Sequence, residues 1–254
     1  MLTADDITVS FGGVRAVSGV SLGVGADELV GLVGPNGSGK TTFLNAICGV
    51  VAAKGTLSVE DVDVALGHPR AAWRAGIARV FQAPQAFEAL SCLENVLLTS
   101  ADPSMRGLTG AWLARPVMWR SERRRWARAM ESLDLVGLAH LATQPAALLT
   151  YGQRRLLELA RALDGDPKVL LLDEPSAGLN DAETEALAEL LREVRAGGIA
   201  LLLIDHKVDF IDSLCDRIVV LELGKVIAEG PPEEVWRDRR VMSAYLGVRD
   251  DAPR

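Results

Sequence analysis

"LVGLVGPNGSGKTTFLNAICG", residues Leu29 to Gly49, decides the fold. The run Leu29 to Val33 is apolar throughout and reads as a buried strand. "GPNGSGKT", Gly34 to Thr41, then matches the phosphate-loop pattern G-x-x-x-x-G-K-[ST] in full. "KTTFLNAIC" continues as a helix that Gly49 can close. Glycines in such a loop let backbone N–H groups approach phosphate oxygens, Lys40 can reach the β and γ oxygens, and the Thr41 hydroxyl can coordinate Mg²⁺. A mere glycine-rich turn with a solvated lysine would not need the strand before it or the helix after it.

Outward from this stretch, short apolar runs recur at Ile77 to Phe81, Val169 to Leu172 and Ala200 to Ile204, separated by long helical segments. That alternation predicts a parallel sheet with crossover helices, an α/β class of fold. Residues 5 to 33 read as antiparallel strands, with Gly12-Gly13 as one turn. Arg217 to Gly230 reads as a hairpin turning near Gly224, followed by a short helix from Pro231. From about 90 to 160 the sequence is Arg- and Leu-rich, helical and without a convincing buried strand, so it reads as an inserted helical subdomain. The expected organisation is a nucleotide-binding core over 1–90 and 161–237, the helical subdomain over 91–160, and a tail over 238–254.

The four apolar runs are each followed by a polar group: the Gly34 loop, Gln82, Asp173 with Glu174, and Asp205 with His206. Ligands of open parallel sheets bind beyond the carboxyl ends of the strands, so these groups are expected to converge on one site. There Asp173 can hold a Mg²⁺ shell and Glu174 can orient or deprotonate a water. A kinase or GTPase could share those parts. No N-K-x-D element for guanine occurs, and the D-x-x-G match, Asp134 to Gly137, lies in helical sequence away from a strand.

Composition bounds the rest. The 254 residues suffice for a full core, and the net charge of −7 argues against a nucleic-acid partner. No apolar run approaches a membrane span and "MLTADDITVS" lacks the cationic and apolar stretches of a signal peptide, so a soluble cytoplasmic protein is expected. Cys48, Cys92 and Cys215 suit reduced thiols, and the three histidines His68, His140 and His206 make no metal cluster. Six arginines between Arg115 and Arg128 alternate with Trp112, Trp119 and Trp126. The favoured reading is a solvated helical face with the tryptophans packed behind it, the other being contact with anionic lipid or a membrane partner.

A second helix start remains. "LTYGQ", Leu149 to Gln153, places a hydroxyl at Thr150 and an approachable backbone N–H at Gly152 before an amphipathic helix, whose positive end favours an anion. A helix cap would account for the threonine but not for the Gly-Gln that follows. "GPNGSGKT", "LTYGQ", "LLLDEP" and His206, in that order, resemble the ATPase subunits of ABC transporters over almost the whole chain. The "YGQ" signature, "SAGLN" (Ser176 to Asn180) and "AYLG" (Ala244 to Gly247) bring the resemblance closest to importers of branched-chain and other hydrophobic amino acids.

The resemblance implies a P-loop NTPase core with a mostly parallel sheet, an N-terminal antiparallel β region and an inserted α-helical signature subdomain. It implies that Gly34, Pro35, Asn36, Gly37, Ser38, Gly39, Lys40, Thr41 and Thr42 hold ATP, with Phe11 stacking on adenine. The other reading of Phe11 is a core or hairpin phenylalanine, since aromatics favour strands in any case. Thr150, Tyr151, Gly152 and Gln153 would bind the γ-phosphate of an ATP held by a second ATPase subunit. Tyr151 replaces the glycine of the commoner L-S-G-G-Q, so the loop cannot cheaply need a positive φ there. Thr41, Gln82 and Asp173 would hold Mg²⁺, and Glu174, His206 and Gln82 would be catalytic. Ser176 to Asn180 fits the loop that crosses the dimer, and Asn180 stands where many relatives have aspartate. The implied function is ATP hydrolysis that powers import through integral membrane permease subunits, from the inner face of the cell membrane. Urea-type importers and soluble ABC ATPases without a transport role share this chemistry. The transported solute, and whether the ATPase pairs with itself or a relative, stay open at this level.

Overall fold

The computed structural model describes residues 1–83, 85–99 and 115–246, with the side chains of 115–121 and 246 outside that description. The chain forms two compact units, Met1–Gln82 with Lys168–Arg254, and Ala83–Pro167.

The first unit opens with β1 (Leu2–Phe11) and β2 (Val14–Val24), joined through Gly12 and Gly13, both at positive φ as the turn requires. These pair with β4 (Lys54–Val59) and β5 (Val62–Asp63) in an antiparallel sheet of order β2-β1-β4-β5. Between them in sequence come β3 (Leu29–Val33) and helix α1 (Lys40–Ile47). The expected antiparallel region thus ends at β2. Strand β3 belongs to the second sheet, because its five residues are all buried and its two faces both need cover.

That second sheet continues with β6 (Ile77–Val80), preceded by α2 (Pro69–Arg74), then β7 (Val169–Asp173), β8 (Ala200–Ile204), β9 (Arg217–Glu222) and β10 (Lys225–Gly230). Its order is β10-β9-β3-β8-β7-β6, parallel at every pair except the β9–β10 hairpin. Leu223 and Gly224 both take positive φ in the two-residue hairpin turn. The apolar run ending at Phe81 is one residue longer than its strand: β6 stops at Val80, and Phe81 is exposed. Strand β7 runs on through Asp173, which stays paired in register with Ile204.

Helix α1 buries Phe43, Leu44, Ala46 and Ile47 in one cluster with Ile7 and Val20 of the antiparallel sheet and Leu32, Leu171 and Leu202 of the parallel one. It ends as expected at Gly49. The Gly49 N–H reaches Ala46 O at 3.0 Å, the Val50 N–H reaches Asn45 O at 2.8 Å, and Gly49 sits at φ 69°, a Schellman close. Helices α6 (Asp181–Ala196), α7 (Val208–Leu214), α8 (Pro232–Val235) and α9 (Arg239–Leu246) complete the unit.

The second unit contains α3 (Cys92–Leu97), α4 (Arg115–Leu135) and α5 (Tyr151–Asp164), with no strand among its described residues. Trp126 corrects the expected packing of the tryptophans: it is 52% exposed. Among the described side chains of α4, burial falls instead on Ala129 and Leu133, four residues apart and further along the helix. The side chains of Trp112 and Trp119 lie outside the described residues.

Candidate active site

The loop between β3 and α1 is shaped by what glycine alone permits. Gly34 takes φ 144° and a Cβ there would lie 2.1 Å from Leu221 O, while Gly39 takes φ 106° and a Cβ would lie 2.5 Å from Ala16 O. Gly39 is also the N-cap residue of α1 and offers no side-chain cap, so the first N–H groups of the helix are left for an anion. Lys40 is 7% exposed, and its ammonium donates to Gly34 O at 2.7 Å and Pro35 O at 3.0 Å. Burial lowers the Lys40 pKa, against the charges of Glu174 and Asp173. Ser38 Oγ is buried without a hydrogen-bond partner among the described residues, and Thr41 at the helix start is exposed.

Three residues from separate strand ends meet beside this loop's own sheet. Gln82, two residues past β6, donates through Nε2 to Glu174 Oε2 at 2.5 Å. His206, two residues past β8, places Nε2 3.0 Å from Glu174 Oε1. Glu174 directly follows β7 in the left-handed region, φ 50°, and its N–H donates to Ile204 O at 2.7 Å. A non-glycine residue held there is a strained position of the kind that clusters at functional sites. The convergence expected from the polar groups after the strands is thus present for these three.

Buried groups hold the cluster. Asp205 accepts from Ser176 Oγ at 2.7 Å, Ser176 N at 3.1 Å, His206 N at 2.7 Å and Lys207 N at 3.1 Å. It therefore ties the His206 turn to the segment after Glu174. Lys207 adds a second tie, its ammonium donating to Leu179 O at 3.1 Å and Thr184 Oγ1 at 2.9 Å. Asn180 is the N-cap of α6: its Oδ1 accepts from Glu183 N at 2.9 Å, and Glu183 Oε2 accepts from Asn180 N at 3.0 Å. Asparagine and aspartate cap equally well, so the change at this position leaves the helix start intact.

Asp173 is gripped by a residue that sequence reading passed over. Arg79 Nη2 donates to Asp173 Oδ2 at 2.6 Å and Arg79 Nη1 donates to Asn45 Oδ1 at 2.5 Å. A charged residue inside the apolar run "IARVF" was its signal, because a buried charge demands a partner. Tyr245 of α9 was likewise unassigned: the residue is 45% exposed, and partial desolvation of its hydroxyl raises the hydroxyl pKa, with the Gly34 backbone opposing the shift.

Phe11 closes the β1–β2 hairpin opposite Val14 and is 52% exposed, so it is a hairpin residue and not a core one.

In the second unit, Thr150 is the N-cap of α5. Its Oγ1 accepts from Gln153 N at 3.2 Å, and Gln153 Oε1 accepts from Thr150 N at 2.9 Å. This capping box accounts for the glutamine as well as the threonine, which corrects the expectation that a cap leaves Gln153 unexplained. Tyr151 is the first helical residue, so no positive φ is needed there, and its hydroxyl accepts from Arg155 Nη2 at 3.2 Å. Gly152 is buried in the same first turn.

A glycine cradle at a helix start, with carboxylates at the next strand ends, defines a P-loop nucleotide-binding protein. The family described as ABC transporter matches residues 17–177, and the family described as branched-chain amino acid ATP-binding cassette transporter matches residues 225–251. The high-affinity branched-chain amino acid transport ATP-binding protein BraF of Pseudomonas aeruginosa is 36% identical over 97% of this chain and 98% of its own. The crystal structure of the ADP conformation of an ABC transporter cassette superposes with TM-score 0.85 at 31% identity, over 97% of this chain and 98% of that one. A bacterial ABC transporter cassette solved as a dimer gives TM-score 0.73 at 25% identity, over 91% of this chain and 99% of that one. The chain belongs to the ABC transporter family, as a nucleotide-binding subunit that hydrolyses ATP. Among the described residues, no helix is long and apolar enough to cross a membrane.

Proposed function

We propose that this ATPase powers uptake of branched-chain or other hydrophobic amino acids through separate permease subunits, working peripherally on the inner face of the cell membrane. Identity to branched-chain amino acid transport proteins along nearly the whole chain, with the family match over 225–251, is the observation that carries this reading. Two ATPase subunits would enclose each ATP, a reading supported by the dimeric cassette among its structural relatives.

The loop from Gly34 to Thr42 would bind the triphosphate through its backbone N–H groups, with Phe11 against the adenine. Lys40 would then exchange the Gly34 and Pro35 carbonyls, which it now contacts, for β- and γ-phosphate oxygens. The oxygen donors of Thr41, Gln82 and Asp173 suit Mg²⁺, and the exposed Thr41 hydroxyl at the uncapped start of α1 fits that use. Bound there, the cation would offset charge on the phosphates. Glu174 would take a proton from the attacking water as its oxygen bonds to the γ-phosphorus and the bond to the ADP oxygen breaks. His206 and Gln82 would orient the Glu174 carboxylate and the water through the contacts they already make. Thr150, Tyr151, Gly152 and Gln153 of the second subunit would close on the γ-phosphate from the far side, with the α5 helix start directed at it.

The test is ATPase activity of the chain assembled with its permease and binding-protein partners in lipid. Leucine, isoleucine or valine should stimulate hydrolysis. Stimulation by urea instead would assign the urea-type role, and full activity with no membrane subunit retained on purification would assign a soluble one.

A further inference from the structure

We propose that Arg79 is a positioning residue for Asp173, fixing which carboxylate oxygen faces the Mg²⁺ of the nucleotide site. The inference rests on the reading of Asp173 as a metal ligand given above.

Arg79 and Asp173 are both 6% exposed in their side chains, so neither charge is solvated and each needs the other. The pair uses one guanidinium nitrogen, Nη2, and one carboxylate oxygen, Oδ2, at 2.6 Å. Arg79 Nη1 is bound to Asn45 Oδ1 at 2.5 Å, and Asn45 lies on α1, the helix that begins with Lys40 and Thr41. The guanidinium carbon stands 4.7 Å above the Phe81 ring, next to Gln82. One planar group therefore touches the strand that ends in Asp173, the helix that follows the phosphate loop, and the segment leading to Gln82. These are the three places from which the expected Mg²⁺ donors come.

The consequence is geometric. With Oδ2 committed to the guanidinium, a cation held by Asp173 would be met by Oδ1, and turning the carboxylate round would break a buried ion pair. The rigid fork of arginine can hold both Asn45 and Asp173 at set directions, which the single ammonium of lysine cannot reproduce. Residues that orient a metal ligand from behind affect metal affinity by about 10–100-fold when changed.

The experiment is calorimetric titration of the full chain with ATP, once in EDTA and once with saturating Mg²⁺, for the parent, Arg79→Met, Arg79→Lys and Asn45→Ala. Arg79→Met should bind ATP in EDTA within about twofold of the parent but lose about tenfold or more of the gain that Mg²⁺ brings. Arg79→Lys should fall between the two. Asn45→Ala keeps the ion pair and frees its anchor, so it should lose a smaller part of the gain than Arg79→Met does. An undiminished Mg²⁺ gain in Arg79→Met would overturn the proposal. Should that variant not fold, undiminished gain in both Arg79→Lys and Asn45→Ala would overturn it equally. A parent protein with no Mg²⁺ gain would instead refute the metal-ligand reading of Asp173, and the positioning role with it.

Discussion

His206 and Glu174 face each other across two neighbouring strand ends, with Nε2 3.0 Å from Oε1. Gln82 occupies the other carboxylate oxygen at 2.5 Å, so the carboxylate is oriented from both sides. Glu174→Gln is nearly isosteric but cannot accept a proton from water. It should leave ATP affinity within about twofold and slow hydrolysis by about 10²–10⁴-fold, the range for loss of a general base. Single-turnover hydrolysis at the parent's rate would remove Glu174 from that role.

Lys40 makes its present contacts with the loop's own carbonyls, Gly34 O and Pro35 O. Lys40→Ala removes those two bonds and the cation intended for the phosphates. Charge-assisted hydrogen bonds contribute about 1.5–3 kcal/mol each, so ATP affinity should fall by at least tenfold, or about 1.4 kcal/mol. Calorimetry with ATP in EDTA reads this directly, and an unchanged affinity would show that the loop binds without it.

How far the sequence could be read depended on what was burying each residue. "LVGLV" and "ALLLI" match β3 and β8 residue for residue because both faces of a central parallel strand are covered. Phe81 was misplaced because an apolar side chain beyond a strand end looks like more strand until its exposure is known. The cradle was legible because its glycines, Lys40 and Thr41 are adjacent in sequence. Arg79, Asn45 and Asp205 were not, since each acts on a partner 34, 94 or 29 residues distant. Gln153 has a capping role that its sequence reading left out, because a T-x-x-Q pattern is also a capping box.

Asn180 and Glu183 cap α6 reciprocally. Asn180→Ala should destabilise the protein by about 1 kcal/mol, while Asn180→Asp should be nearly neutral, since both residues accept from the N3 N–H. Urea unfolding of the two variants separates these outcomes. Equal loss in both would mean that the amide nitrogen of Asn180, and not its oxygen, carries the contribution.

Burial pushes the Cys48 thiol up to about 11, with Arg79 opposing the shift. A thiol whose folded-state pKa lies above its ordinary 9.0 stays protonated longer in the folded chain than in the unfolded one. Stability from this group is therefore present below about pH 9 and is lost as pH rises toward about 11. Melting temperature should fall across that window, and the fall should be shallower in Cys48→Ala. Alkylation in the folded protein should also be slow at pH 8, because the thiolate is the reactive form. An identical alkaline slope in parent and variant would assign the loss to other groups, such as the buried Cys215, whose thiol is raised further.

Thr150 and Gln153 have two possible tasks, capping α5 and meeting a phosphate, and one substitution separates them. Glutamate at N3 completes a capping box as well as glutamine does, because either side-chain oxygen accepts from the Thr150 N–H now held at 2.9 Å. Gln153→Glu should hold the unfolding free energy within about 0.5 kcal/mol, whereas Gln153→Ala should lose about 1 kcal/mol with the cap. A carboxylate facing the γ-phosphate of a second subunit would repel it, since both carry negative charge. Gln153→Glu should then lower steady-state ATPase activity by at least about tenfold, a penalty near 1.4 kcal/mol, while leaving binding of ATP to the single chain unchanged. Size-exclusion chromatography of Glu174→Gln with ATP, with and without Gln153→Glu, checks the same point through dimer formation. Full ATPase activity in Gln153→Glu would leave Gln153 as a helix cap and nothing more.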